Sequence, residues 1–99
     1  MKSLVRVRVR MMGVLRDASG RSEEELRLSD GVNVSSAIGR LIEMYGEAFE
    51  RALIDPVVMS PVPSALILLN GVEIGNIGGL ETPVGDGDTI VLLPVTHGG

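Results

Sequence analysis

The sequence contains no cysteine, which excludes disulfide bonds, thiolate metal sites and a cysteine nucleophile. Aromatic residues make up only 2% of the chain, so the core must be built from Val, Leu, Ile and Met. Ligand pockets depend on aromatic walls and wide clefts, and a chain of 99 residues with this composition cannot supply a large one. We therefore expect the function to depend on a surface or a terminus.

Positive charge and long apolar runs are also scarce. The net charge is −4 with a pI of about 4.8, and this acidic balance disfavours a direct nucleic-acid partner. No run approaches the roughly 20 apolar residues of a membrane span. Arg6, Arg8 and Arg10 interrupt the only region that could resemble a signal peptide. The sequence predicts a soluble, cytoplasmic protein with no membrane partner.

The N-terminal segment has the pattern of a strand with one buried face. Apolar and basic residues alternate over residues 5–11. Residues 24–28 predict a second strand, with Leu26 and Leu28 pointing inward, and residues 17–20 between the two strands have the composition of a turn. These segments together predict an N-terminal hairpin.

A helix follows the hairpin, and further strands follow the helix. Asn33 is a good N-cap for a helix whose apolar stripe extends to Tyr45. A shorter helical segment is predicted over residues 47–53, and a proline-rich connector over residues 55–64. The remaining strands are predicted at 65–69, 72–74 and 89–95, and tight turns at 70–71 and 85–88.

The strands at 65–69 and 89–95 are apolar at nearly every position. A sheet covered by one helix needs only one apolar face, because the other face meets water. Either the proline-rich connector or another protein must therefore cover the outer face. We predict that this partner-binding surface is formed by Leu66, Leu68, Val91 and Leu93.

The element order, the turn at 70–71, the segment 86–90 and the ending His97-Gly98-Gly99 together resemble the ubiquitin-like sulfur-carrier superfamily. Its members include the ubiquitin-related modifier, archaeal small modifiers and the small subunit of molybdopterin synthase. The resemblance implies an α+β, ubiquitin-like β-grasp fold, with a mixed sheet of roughly four to five strands on one main helix. It places the domain at residues 1–95 and a flexible diglycine tail at 96–99.

The resemblance also implies a function for the tail. A ubiquitin-activating-type enzyme would use ATP to adenylate the Gly99 carboxylate, which would then become a thiocarboxylate for tRNA thiolation or be joined to a protein lysine. Thr96, His97 and Gly98 would be recognised by that enzyme. The chain itself would be a carrier without bound cofactor, metal or catalytic residues. Glycines suit this role because they lack side chains and adopt conformations that other residues avoid.

Two other functions stay open. The chain could be the small subunit of molybdopterin synthase, delivering sulfur in molybdenum cofactor biosynthesis to a site on the large subunit. It could also be a β-grasp binding module whose tail has no chemistry.

Several charged residues have a structural interpretation. Asp86 and Asp88 lie beside glycines and are interpreted as turn formers. The arginines at positions 6, 8 and 10 are interpreted as a solvated strand face that pairs with glutamates 23–25 across the hairpin. The alternative for these arginines is a docking patch for an acidic partner.

Overall fold

The computed structural model describes residues 3–62 and 64–95. Within them, three α-helices and five strands follow one another along the chain, with single turns of 3₁₀ helix at Ile74–Asn76 and Gly79–Glu81. The order is β1 (Leu4–Met11), α1 (Gly13–Ser19), β2 (Glu23–Ser29), α2 (Val34–Tyr45), α3 (Glu47–Leu53), β3 (Ala65–Leu69), β4 (Val72–Glu73) and β5 (Thr89–Pro94).

The described strands form one mixed sheet in the order β2-β1-β5-β3-β4. The first two strands are antiparallel, as the predicted hairpin requires, while β5 runs parallel to β1 and antiparallel to β3. The C-terminal strand therefore occupies the centre of the sheet. This arrangement confirms the predicted α+β class and the ubiquitin-like β-grasp fold.

The alternation in β1 gives the buried face that its sequence predicts. Val7, Val9 and Met11 are fully buried, while the arginines between them are exposed. The helix α2 begins at the predicted N-cap, where Asn33 accepts a hydrogen bond from the backbone N–H of Ser36 at 2.9 Å. Its apolar stripe belongs to the same core as the inward side chains of the sheet, which is how the helix buries its hydrophobic face.

The connection between β1 and β2 is not the simple turn that we predicted at 17–20. It is the helix α1, which ends at Gly20 in the left-handed conformation with φ of 77°. Leu15 is fully buried in the core and holds this helix against the domain. Residues 17–20, whose composition resembles a turn, instead form the C-terminal end of this short helix. Gly20 is its cap, a position where glycine is favoured.

Smaller differences concern the ends of strands. The strand predicted at 72–74 stops at Glu73, and Ile74 begins the first of the two 3₁₀ turns that follow it. The short helix predicted at 47–53 is present with those bounds. Its Phe49 is fully buried and packs against the ring of Tyr45, with 5.3 Å between the ring centroids.

Candidate partner-binding surface and the base of the tail

Four apolar side chains of β3 and β5 lie on the sheet face away from the core. The register pairs Leu66 with Leu93 and Leu68 with Val91 across the two antiparallel strands. The alternate residues of both strands are buried, so these four lie on the outer face. Leu66 is 40% exposed and the other three are half-buried. We call these four residues the apolar patch.

Part of the apolar patch is exposed to solvent, since Leu66 is 40% exposed. Most apolar side chains of the described connector are exposed as well, namely Val57, Val58, Met59 and Val62. The exposed part of the patch leaves room for another protein, and its role as a partner-binding surface stays a prediction.

Charged residues border the apolar patch on both sides. Arg10 of β1 lies opposite Val91, and Glu73 of β4 lies opposite Leu68. Within residues 3–62 and 64–95, Arg10 has no ion pair. The side of the patch next to β1 therefore carries a positive charge that an acidic residue of a partner could neutralise.

The other two arginines of β1 are paired. Arg8 lies 3.7 Å from the carboxylate of Glu23, as the predicted cross-hairpin pairing requires. Arg6 instead lies 3.8 Å from Asp86 in the turn before β5, a partner that we did not predict. All four side chains are about half exposed or more, so each pair stabilises the fold only slightly.

Two turns fix the position of β5 in the sheet. Asn70 and Gly71 have φ of 51° and 85°, the conformation of a two-residue hairpin turn. The side chain of Asn70 accepts a hydrogen bond from the backbone N–H of Thr89 and donates one to Asp88. The second oxygen of Asp88 accepts from the backbone N–H of Gly85 at 2.7 Å. Asp88 is thus a turn former, as predicted.

These contacts decide which side chains of β5 face outward. A shift of one residue would exchange the buried and exposed faces of the strand. Both faces are apolar, so burial alone would tolerate the shift. The Asn70–Asp88 contacts connect the β3–β4 turn to the first residue of β5 and so oppose it.

The C-terminal end of β5 is anchored on both sides. The backbone N–H of Met12 donates to the carbonyl of Leu92, and the N–H of Val95 donates to the carbonyl of Ser64 at 3.0 Å. Thr96, His97, Gly98 and Gly99 lie outside the described residues. The predicted roles of those four residues, and the division of the chain at residue 95, stay predictions.

The sequence pattern does not predict a partly buried polar contact on the helix side of the sheet. The hydroxyl of Tyr45 donates a hydrogen bond to Glu24, and Arg21 lies 3.7 Å from the same carboxylate. Burial, together with this hydrogen bond and the negative charge of Glu24, raises the pKa of Tyr45 to about 12. We had interpreted Tyr45 only as part of the apolar stripe, because helical periodicity gives no information about its hydroxyl.

The described residues thus define a protein with a helix-covered mixed sheet, an outer apolar patch and a central last strand, which is the architecture of ubiquitin-like carriers and modifiers. The ThiS family profile matches residues 9–99. The chain therefore belongs to the ThiS family, and the predicted superfamily is confirmed. No curated protein matches the sequence significantly. The described residues contain no helix that is both long and apolar enough to cross a membrane.

Solved structures agree with this assignment. The small archaeal modifier protein 1 of Methanosarcina acetivorans is 30% identical, with a TM-score of 0.77 and coverage of 98% of this chain and 99% of that one. The BexX/CysO complex of Amycolatopsis orientalis contains a chain that is 26% identical, with a TM-score of 0.72 and coverage of 94% and 99%. Urm1 of Trypanosoma brucei, 24% identical with a TM-score of 0.74 and full coverage of both chains, shares the fold.

Proposed function

We propose that the chain is a ubiquitin-like sulfur carrier or modifier that acts through the carboxylate of Gly99. In the first step, this carboxylate attacks the α-phosphorus of ATP in a ubiquitin-activating-type enzyme, and pyrophosphate leaves. In the second step, sulfide (HS⁻) attacks the acyl-adenylate carbonyl, a C–S bond forms as the C–O bond to AMP breaks, and loss of the sulfur-bound proton gives a thiocarboxylate. The sulfur then passes to an acceptor such as tRNA, or the acyl group passes to a protein lysine.

One observation carries this proposal: the ThiS family match extends to Gly99 and so includes the diglycine end. The similarity to an archaeal modifier and to a chain from the BexX/CysO complex supports a role as a carrier that works with partner proteins. The central position of β5 supports it further, because a strand anchored on both sides gives the tail a fixed starting point.

The apolar patch is the surface that we propose for the activating enzyme. Apolar side chains at the centre of a contact supply most of its binding free energy, and charges at the rim set orientation and association rate. Leu66 and Leu93 would form the centre, and Arg10 would meet an acidic residue at the rim.

The test is ATP–pyrophosphate exchange by the activating enzyme of the same host. Deletion of Gly99 should abolish exchange, whereas Asp17→Ala, which removes an exposed carboxylate of α1 and keeps the whole tail, should retain it. Equal melting temperatures would show that both variants are folded. Exchange that persists after the deletion would refute the proposal. Intact mass of the native protein should further show replacement of one oxygen by sulfur, reversed on hydrolysis.

The alternative function, as the small subunit of molybdopterin synthase, is favoured by the same apolar patch. Permanent partners bury larger and more apolar interfaces than transient ones. Purification from the native host separates the two functions, because a synthase subunit would co-purify in a stable complex with a large subunit. A chain recovered alone, with its exchange activity intact, would favour the carrier.

A further inference from the structure

The loop between α3 and β3 holds three large apolar side chains in solvent. Val57 is 87% exposed, Val58 is 56% exposed and Met59 is 76% exposed. Scattered apolar residues are common on protein surfaces, but three consecutive ones form a continuous patch. We call these three residues the apolar tip. It belongs to the loop, whereas the apolar patch belongs to β3 and β5.

Hydrogen bonds hold the apolar tip in one conformation. The carboxylate of Asp55 accepts from the backbone N–H groups of Val57 and Val58, at 2.8 and 3.1 Å. The backbone of Asp55 also donates to the carbonyl of Ser60 and accepts from the N–H of Met59, both at 2.8 Å. The only charged side chain of the loop is therefore occupied with its own backbone. The tip that remains is uncharged and preorganised.

The backbone at Met59 adopts a conformation that does not favour methionine. Its φ is 54°, a left-handed conformation that glycine or asparagine adopts at lower cost than methionine. Such strain persists at sites where another requirement outweighs it, and function is the usual requirement. A methionine that is both strained and exposed gains nothing from the folded domain itself. A flexible thioether side chain is well suited to an apolar partner surface.

The loop leads to the end of the sheet from which the tail departs. The chain leaves the loop through Ser64, whose carbonyl accepts the N–H of Val95, and Ala65 is paired with Pro94. The C-terminal end of the loop and the last described residues of β5 thus meet at one end of the sheet. A protein that takes up the C-terminus must approach this end of the sheet.

We infer that the apolar tip is a second docking element, which inserts into an apolar groove of the activating enzyme that accepts the tail. This inference rests on the proposed function and names a contact for it that is separate from both the tail and the apolar patch. The occupant that we infer is the activating enzyme and not a second copy of this chain, because a partner that takes up the tail must approach the end of the sheet that the loop reaches.

The experiment measures the affinity of the activating enzyme for the carrier by calorimetry without ATP, and the KM for the carrier by pyrophosphate exchange. The test variant is V57S/M59N, which removes apolar surface while asparagine suits the backbone at position 59. The control is Ile77→Ser, which removes another exposed apolar side chain, 47% exposed, from the loop after β4.

We expect V57S/M59N to weaken binding and raise KM by roughly tenfold or more, with kcat unchanged, because central apolar contacts dominate interface affinity. Ile77→Ser should change either quantity by less than about twofold. The melting temperature of V57S/M59N should equal or exceed that of the wild type.

An affinity and KM for V57S/M59N within about twofold of the wild type would overturn the inference. So would sedimentation showing a wild-type dimer that V57S/M59N converts to monomer while KM is unchanged, since the tip would then contact a second copy. Exchange that survives deletion of Gly99 would instead refute the proposed function. The two failures are read from different variants and are therefore distinguishable.

Discussion

Replacement of Asp88 by Ala is expected to destabilise the domain, because its carboxylate connects two turns. One oxygen accepts from the backbone N–H of Gly85 at 2.7 Å and the other from the side-chain amide of Asn70 at 3.0 Å. Hydrogen bonds to a charged group contribute about 1.5–3 kcal/mol each when buried. Asp88 is only half-buried, so we discount the two together to about 1–2 kcal/mol.

A loss of this size is readily measured in a small domain. For a chain of 60–100 residues, 1 kcal/mol shifts the melting temperature by about 4–8 °C, so the expected decrease is about 4–16 °C. Asp88→Asn should lower the melting temperature less than Asp88→Ala does. Its amide oxygen can still accept from the N–H of Gly85, and only the contact with Asn70 is lost because two NH₂ groups then face each other.

The assay is thermal unfolding followed by circular dichroism at low ionic strength and again at high salt. Asp17→Ala is the control, because it removes an exposed carboxylate from α1 and changes the net charge equally. A melting temperature for Asp88→Ala within about 2 °C of the control would show that the turn contacts do not hold β5, and our argument for its register would fail.

Three further predictions concern separate parts of the domain. Tyr45→Phe should cost about 1 kcal/mol through loss of the hydrogen bond to Glu24. The pKa of Tyr45 is raised from 10.0 to about 12 in the folded state, so its contribution is complete below pH 10 and is lost as the pH rises to 12. Urea unfolding at pH 9–12 should show this loss in the wild type, and an equal loss in the Phe variant would contradict the assignment. Leu15→Ala should cost about 2–5 kcal/mol in urea unfolding, because the side chain is fully buried; a cost below about 1 kcal/mol would mean that α1 is not part of the core. Leu66→Ser should weaken binding to the activating enzyme without destabilising the fold, whereas Ile67→Ser on the opposite face should unfold it; equal binding by wild type and Leu66→Ser would remove the patch from the interface.

The sequence predicts best those elements whose side-chain pattern has one interpretation. Apolar and charged residues alternate in β1, so its buried face is unambiguous. The helix α2 has both an N-cap at Asn33 and a continuous apolar stripe. The helix α1 has neither signal. No side chain caps its N-terminus, and Leu15 is its only buried residue. Its terminal Gly20 could mark a turn or a helix end with equal justification.

The outward face of β3 and β5 could not be deduced from pattern, because both faces of these strands are apolar. It depends on the register that pairs Leu66 with Leu93, and this register is set by the turn contacts of Asn70 and Asp88. The turn residues were visible in the sequence, but their contact joins positions 18 residues apart. Likewise, the prolines predicted a connector between α3 and β3, and nothing in the pattern showed that Met59 would be strained and exposed.

The central position of β5 has a mechanical consequence. A force applied to the C-terminus acts along a strand that is hydrogen-bonded to β1 on one side and to β3 on the other. The bonds on both sides then carry the load together in shear, whereas an edge strand would have bonds on one side only. Forced unfolding is governed by the barrier to breaking these bonds at once. We expect a domain tethered through its last residues to resist unfolding when it is pulled from that end.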